Sequence, residues 1–311
     1  MPDIEEPGRA AIVDVDLKGW VEAATDDQVL YRDRRVTEIV LTAIGLAPTL
    51  KDALVLKGGT LMALAFDSHR LTADVDFTAL LGPAEFEQPL VEELNALLPK
   101  AAIQLGHLDL ICRVQTLKKM PKPLNFADHD FPALLVRIGS ALRGTPEEKR
   151  LDAGQATRVL DVEISFKDQV YTAQTLQLSN PGVAVRAFTL HELIAEKFRA
   201  LLQQPIRNRY RRQDVYDIAY LIDAHPMEES DRQVIYDTLI EKCATRDIQP
   251  DRQSLEAEEV VRRAQADWDT LKLEVADLPS FEERFFVVAR LYRDLPWPET
   301  ERLRSSSPAG G

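Results

Sequence analysis

The sequence predicts an α/β fold of the α+β kind, in which a mixed sheet of about five strands precedes a helical C-terminal half. Strands are indicated by apolar and polar residues that alternate with period 2, and these segments end before Pro181. Helices are indicated by the three- and four-residue apolar spacing that dominates after it. A hydrophobic fraction of 45% and a charged fraction of 29% exclude a disordered chain.

The first periodic segment, residues 27–47, is predicted to be a helix. The apolar segment 54–66 is interrupted by Gly58-Gly59 and then continues in good helix formers, which predicts a turn at a helix start. Strands follow at 71–80, 108–117, 131–138, 158–166 and 170–178. Helices are predicted at 190–203, 214–224, 231–242, 255–271 and 281–292. We expect an α/β domain with N-terminal helices at 1–185, a helical domain at 186–304 and a disordered tail at 305–311.

Charge and cysteine content limit the class of protein. Fifty-one acidic residues against 38 basic ones give a net charge of −13. This charge excludes non-specific nucleic-acid binding by the whole surface, but it is compatible with binding at a local basic patch. Cys112 and Cys243 are far apart, so neither a disulfide framework nor a cysteine zinc site is expected. With no signal peptide and no apolar stretch of ~18 residues, we expect a cytoplasmic protein without membrane association.

Asp74 and Asp76 alternate with apolar residues on a predicted strand, so both side chains point to one face. They could simply face water. The glycine turn at Gly58 and Gly59 makes a second interpretation available, because glycines let the backbone approach a ligand and a helix start offers unpaired N–H groups to a phosphate. Carboxylates beside a phosphate site suit Mg²⁺.

A third carboxylate is expected on a neighbouring strand. The segment 160–166 carries Asp161 and Glu163 on the face opposite its apolar residues. We prefer Glu163 because it lies at the centre of the strand, and a solvated strand face is an equal alternative.

Two charged residues of the helical half lie where apolar residues are expected. Thr189 and Glu192 form a capping box, and from that start Lys197 falls within the apolar arc of the helix, whereas Glu192 and Arg199 fall outside it. Lys197 could extend its ammonium to water, but a functional lysine paired with phosphate or carboxylate is the preferred interpretation. The same arithmetic places Asp214 on the buried side and Asp217 outside it, and Asp214 could equally be a helix N-cap.

A run of arginines precedes that second helix. Four arginines surround Tyr210 between positions 207 and 212 in an otherwise acidic chain. The run is either a solvated loop or a contact for triphosphate or RNA, and we name Arg209 and Arg212 as candidate nucleotide-binding residues.

Four motifs in this order resemble the AbiEii/AbiGii family of nucleotidyltransferase toxins, which includes the MenT toxins and belongs to the polymerase-β-type nucleotidyltransferase superfamily. The resemblance spans about residues 50 to 222. Its motifs are Lys57-Gly58-Gly59-Thr60, Asp74-Val75-Asp76-Phe77, Ala195-Glu196-Lys197 and Arg212-Gln213-Asp214-Val215-Tyr216-Asp217.

The resemblance implies a polymerase-β-type core and a toxin of a toxin–antitoxin or phage-defence system. Such a toxin transfers NMP from an NTP to an acceptor hydroxyl, here expected at the 3′ end of tRNA, and is paired with an antitoxin protein. It implies that Asp74 and Asp76 bind Mg²⁺ and that Gly58, Gly59 and Thr60, with Lys57 before them, hold the nucleotide. Lys197 would neutralise the triphosphate, Asp214 would orient Lys197 or an arginine, and Glu163 would bind a second metal or act as base. The alternatives are a non-catalytic regulatory protein of this fold and a transferase that modifies a small molecule or a protein.

Overall fold

The computed structural model describes residues 11–121, 126–129, 131–180 and 182–298 of the chain. These residues divide into two compact units. The sheet unit comprises the described residues up to Glu196 together with Asp267–Leu278, and the helical unit comprises Lys197–Ala266 and the described residues from Pro279 onward. The predicted tail at 305–311 lies outside the described residues, and the predicted domain limits stay predictions.

The sheet unit is built on one mixed eight-stranded sheet. Its strands are β1 (Ile12–Val15), β2 (Leu54–Lys57), β3 (Asp74–Ala79), β4 (Leu110–Met120), β5 (Ala133–Leu142), β6 (Arg158–Ser165), β7 (Ala173–Leu178) and β8 (Val183–Phe188). They lie in the order β1-β7-β8-β2-β3-β6-β5-β4. The neighbours β1 and β7, β2 and β8, and β3 and β6 are parallel, and the other pairs are antiparallel.

Helices of this unit connect the strands. They are α1 (Leu17–Glu22), α2 (Gln28–Leu46), α3 (Leu50–Ala53), α4 (Gly58–Ala65), α5 (Pro83–Gln104) and α6 (Pro146–Asp152). Asp27 caps α2, because its side chain accepts hydrogen bonds from the N–H groups of Val29 and Leu30. From Val36 to Ile44 every residue of α2 is buried, so this helix is a central part of the core.

The central strands have one apolar and one polar face. Val75 and Phe77 of β3 and Val162 and Ile164 of β6 are almost fully buried. Since side chains alternate along a strand, the residues between them all project from the opposite face. The period-2 pattern therefore fixes which face of the sheet presents the acidic side chains.

The helical unit consists of the end of α7 (Leu190–Leu202) and of α8 (Gln204–Arg207), α9 (Arg212–Ala224), α10 (Glu229–Ala244), α11 (Glu258–Gln265) and α12 (Phe281–Arg293). Its core contains the fully buried Tyr292, which packs edge-on against Phe198 at 5.3 Å between ring centroids and contacts Trp297. No helix of the described ranges is long and apolar enough to cross a membrane.

The α/β class is confirmed, but the prediction of about five strands is wrong. The three further strands are β1, β2 and β8. Burial does not alternate along β2, because its three apolar residues are all buried and only its last residue, Lys57, is half-buried. Strand β8 lies after Pro181, where only helices are predicted. Short strands of this kind give too few residues for a periodic signal.

Two helix predictions also need correction. The longest helix, α5, was not predicted, and it contains Pro89 and Pro99, which usually mark helix ends. The single helix predicted at 255–271 is three shorter elements, namely a 3₁₀ turn at Ser254–Glu256, α11 and a second 3₁₀ segment at Trp268–Leu273. The chain turns before the last of these at Asp267, whose φ of 57° no α-helix can contain.

Two residues placed outside the apolar arc of α7 are in fact buried. Glu192 is fully buried, and Arg199 is 7% exposed. The Glu192 carboxylate accepts hydrogen bonds from the backbone N–H groups of Tyr171 and Thr172, while its own N–H donates to Thr189 Oγ1. The buried carboxylate thus satisfies backbone donors of the chain segment before β7.

Candidate active site

Strands β3 and β6 bring four carboxylates to the polar face of the sheet. The parallel register pairs Asp74 with Asp161 and Asp76 with Glu163. Neighbouring strands are ~4.8 Å apart, so the two rows lie side by side. Asp74 and Glu163 are exposed, and Asp76 and Asp161 are half-buried. The predicted carboxylates of both strands therefore share one accessible face.

The two candidates for the third carboxylate have different surroundings. Asp161 accepts a hydrogen bond from Arg137 Nε on β5 at 3.1 Å. Glu163 lies opposite Leu135 of β5 and has no hydrogen-bond or ion-pair partner within the described residues. The charge of Asp161 is already compensated by a neighbour, which leaves Glu163 as the accessible carboxylate beside Asp76.

The carboxylate face can be tested for its fit to a divalent cation. No group of three or more His, Cys, Asp or Glu side chains in the described ranges forms a preassembled metal site. Mg²⁺, however, is usually held by one or two protein carboxylates together with substrate phosphates rather than by an all-protein cage. Asp74 and Asp76 supply hard oxygen donors of that number on one face, so they fit such an ion.

The glycine turn packs directly against this face. Gly58 is the first residue of α4 and has a φ of 72°, a conformation that favours glycine. A Cβ atom at this position would lie 2.1 Å from Asp76 Oδ2. The turn therefore holds its backbone against the carboxylate, and any side chain would displace one or the other.

The next two residues of the turn contact the segment before β3. A Cβ atom on Gly59 would lie 2.6 Å from Thr72 Oγ1 and 3.2 Å from a terminal guanidinium nitrogen of Arg70. Thr60 is buried, and its hydroxyl donates a 2.7 Å hydrogen bond to the Asp74 carbonyl. Thr72 in turn donates to the Asp74 carboxylate at 2.8 Å. These contacts fix Asp74 relative to the start of α4.

Lys57 lies opposite Asp76 in the antiparallel pairing of β2 and β3. Its ammonium donates to Ser165 Oγ at 2.7 Å and to Asp168 Oδ2 at 3.0 Å. Ser165 also donates to Asp168 at 2.6 Å. The structure thus ties Lys57 to the end of β6, a pairing that the sequence did not indicate because Asp168 follows the strand in an irregular segment.

Arg70 is a further basic residue at the glycine turn that sequence reasoning missed. Its guanidinium forms a 2.7 Å ion pair with Glu274, and the N–H of Leu71 donates to the Glu274 carbonyl at 2.9 Å. Glu274 belongs to the segment Asp267–Leu278, which joins the sheet unit from a distant part of the chain. No local pattern could have revealed this contact, although the basic residue itself stands four positions before Asp74.

The helical unit contains a buried charge cluster around Lys197. The ammonium donates to Asp214 Oδ1 and to Asp217 Oδ2, each at 2.8 Å. The Lys197 side chain is 8% exposed and that of Asp217 is fully buried, so the placement of Asp217 outside the buried side is wrong. Helix α9 is buried over most of its circumference, and the i, i+3 spacing of the two aspartates is the signal that could have identified the pair.

The second oxygen of Asp214 is a buried polar atom without a hydrogen bond. Within the described residues Oδ2 has no hydrogen-bond partner, and Arg211 Nε lies 3.9 Å away. Of the arginine run, Arg209 is exposed and Arg212 is half-buried. Burial, followed by the charges of neighbouring arginines including Arg211 and Arg199, lowers the pKa of Arg207. The run therefore forms a concentrated positive patch in the helical unit.

The chain was compared with protein families and with solved structures. A family model described as nucleotidyl transferase AbiEii toxin, type IV toxin–antitoxin system, matches residues 40–287. The structure is similar to the nucleotidyltransferase toxin MenT4 from Mycobacterium tuberculosis, with 14% identity, a TM-score of 0.52 and coverage of 89% of this chain and 88% of that chain. For JHP933 from Helicobacter pylori the identity is 17%, the TM-score 0.48 and the coverage 86% and 91%.

No curated protein matches the sequence. At 14% identity the likeness to MenT4 establishes the fold alone, and it agrees with the α/β class read from the sequence. The family model covers well over half of the chain and includes the glycine turn, the β3 and β6 carboxylates, Lys197 and Asp214. The chain therefore belongs to the AbiEii family of nucleotidyltransferase toxins.

Proposed function

We propose that this toxin transfers a nucleoside monophosphate from an NTP to the hydroxyl at the 3′ end of tRNA in the cytoplasm, and that a cognate antitoxin protein counteracts it. The observation that carries the proposal is the group of accessible carboxylates Asp74, Asp76 and Glu163 on one sheet face, with the Gly58 turn packed against Asp76. A protein that only bound partners would have no use for adjacent like charges at this place, because they repel each other.

The chain's own residues can perform each part of such a transfer. Backbone N–H groups at the start of α4 bind the triphosphate, and the Arg70 guanidinium, held beside Gly59 by its ion pair with Glu274, donates to a phosphate oxygen. Glu163 accepts the proton of the attacking hydroxyl, whose oxygen bonds to the α-phosphorus while the bond from that phosphorus to the β-phosphate oxygen breaks and pyrophosphate leaves. Asp74 and Asp76 would hold Mg²⁺, which when bound offsets the negative charge that develops on the phosphate.

For the helical unit we propose a supporting role. Lys197 is neutralised by two aspartates, so it fixes the end of α7 against α9 and keeps Asp214 in one orientation. Arg209 and Arg212 contribute positive charge for the phosphates of nucleotide or RNA. The exposed position of Arg209 supports this role.

The proposal is tested by incubating the purified chain with each α-labelled NTP, Mg²⁺ and total RNA. We expect label in the tRNA fraction, and a loss of about 100-fold or more for Asp76→Asn and Glu163→Gln. Asp161→Asn is the matched control, since its carboxylate is paired with Arg137, and it should retain transfer within a few fold. Label in small molecules or protein instead of RNA would support the alternative acceptors, and no label in any fraction would contradict the proposed activity.

A second experiment concerns toxicity. Expression of the chain alone should stop bacterial growth, and expression of Asp76→Ala at the same level should not. Equal growth arrest by both would show that the toxicity does not depend on transfer.

A further inference from the structure

A separate pocket of the sheet unit opens beside Asp74. It is lined by residues of α1 and α2, by the segment from Ser68 to Asp74, and by the start of β6. Its lining includes Asp74, Thr60 and Arg70 but neither Gly58 nor Gly59. The pocket therefore adjoins the carboxylates and the end of the glycine turn, but it does not include Gly58 and Gly59, at which we place the triphosphate.

One wall of the pocket is a stacked pair of side chains. The Arg34 guanidinium lies over the Trp20 ring at 4.7 Å from the centroid, and Arg34 also donates to the Trp20 carbonyl at 2.5 Å. Arg34 Nε is buried and has no hydrogen-bond partner within the described residues. A buried N–H group without an acceptor is rare in folded proteins, so it marks a place where a ligand acceptor atom would be favourable.

The remaining walls combine apolar and acidic groups. Leu71 and Val159 line the pocket and remain 44% and 43% exposed, so they give it apolar surface that a ligand can reach. Asp33 also lines it and lies 3.7 Å from Arg158. Burial raises the pKa of Asp33, and the positive charge of Arg158, which lowers it, offsets this only in part. A flat apolar ring with polar atoms on its edge matches these surroundings.

The size of the pocket restricts its occupant. Its volume of ≈ 150 Å³ is close to that of a cavity that holds one aromatic ring. A whole nucleoside triphosphate does not fit, but one base does. Proteins recognise RNA ends in this manner, with an unstacked base placed against an aromatic ring or an arginine plane.

We propose that this pocket, the Trp20 pocket, binds the base of the terminal nucleotide of the RNA acceptor, next to the carboxylates where its hydroxyl reacts. The inference rests on the proposed function, because it assigns the acceptor side of that reaction. The Trp20 ring holds the Arg34 guanidinium in place, and Arg34 Nε donates to the edge of the base.

The experiment measures binding rather than transfer. A labelled single-stranded RNA is compared with the same RNA whose 3′-terminal nucleotide is abasic, which keeps the hydroxyl and the phosphate. The wild-type chain should bind the complete RNA about tenfold more tightly. Trp20→Leu and Arg34→Gln should remove this difference while leaving NTP affinity unchanged. Arg35→Gln is the matched control, because the next guanidinium along α2 pairs with Asp109 and does not line the pocket.

Two results would overturn the inference. Equal affinity of the wild-type chain for both RNAs would show that no base is bound, and this comparison needs no variant to fold. A loss of NTP affinity in Trp20→Leu and Arg34→Gln with unchanged RNA discrimination would assign the pocket to the donor base instead. Failure of the proposed function is distinguishable, because it would appear as the absence of label transfer to any RNA.

Discussion

Replacement of Lys197 by methionine should strongly destabilise the protein even without any ligand. Methionine preserves most of the buried methylene chain but removes the ammonium that lies 2.8 Å from both Asp214 and Asp217. Two carboxylates with 11% and 0% exposed side chains would then lose the ammonium between them, and the nearest arginine, Arg211, lies 3.9 Å from Asp214 on the other side. Removing one partner of a buried ion pair costs ~3 to 5 kcal/mol of unfolding free energy. At ~2 to 4 °C per kcal/mol, the melting temperature should fall by on the order of 10 °C.

The assay is thermal and urea unfolding followed by circular dichroism. Lys272→Met is the matched control, because that ammonium is largely exposed and, among the described residues, pairs only with the exposed Asp269, so its loss should change stability by less than ~0.5 kcal/mol. Adding Asp214→Asn and Asp217→Asn to Lys197→Met should recover much of the lost stability, since the uncompensated charges disappear. If Lys197→Met melts within a degree or two of Lys272→Met, the buried-pair reasoning is wrong.

Three further predictions concern the sheet unit. Gly58→Ala should lose NMP transfer as well as ~1 to 2 kcal/mol of stability. Gly144→Ala is the control and should lose stability alone, because Gly144 has a φ of 76° and open space around it. Equal transfer by both variants would contradict the close approach of Gly58 to Asp76. Arg70→Gln should weaken NTP binding about tenfold in calorimetry, and Glu274→Gln should weaken it less. If both variants bind NTP as tightly as the wild-type chain, Arg70 does not contact the triphosphate. Burial raises the pKa of Cys112 to about 12, so its thiol stays protonated at pH 8, and intact-mass analysis should find it unlabelled by iodoacetamide until the chain is unfolded.

Sequence reasoning succeeded where a short-range pattern determines the structure. Asp74, Asp76, Asp161 and Glu163 alternate with apolar residues, so their common face follows from the pleat alone once β3 and β6 are neighbours. Gly58 was identified because its turn interrupts an apolar segment, and its φ of 72° gives the physical reason. These features supply the carboxylate face and the turn beside it.

What the sequence did not reveal depends on burial from several sides or on distant contacts. Asp217 was misplaced because the apolar residues of α9 mark only part of its buried face, which extends over more than half of the helix circumference. Helix α5 was missed because its two prolines outweigh its periodicity. The ion pair of Arg70 and Glu274 joins residues 204 positions apart, and only the folded chain brings them together.

The segment Asp267–Leu278 has a consequence for how this protein can be divided. The chain passes from one unit to the other after Glu196, after Ala266 and again after Leu278, so neither unit is continuous in sequence. A chain ended at residue 196 would contain every strand of the sheet yet lack Glu274, and the arginine at the glycine turn would lose its anchor. Proteolysis or truncation at a single point therefore cannot release an intact sheet unit, and mutations late in the sequence can alter chemistry encoded near its beginning.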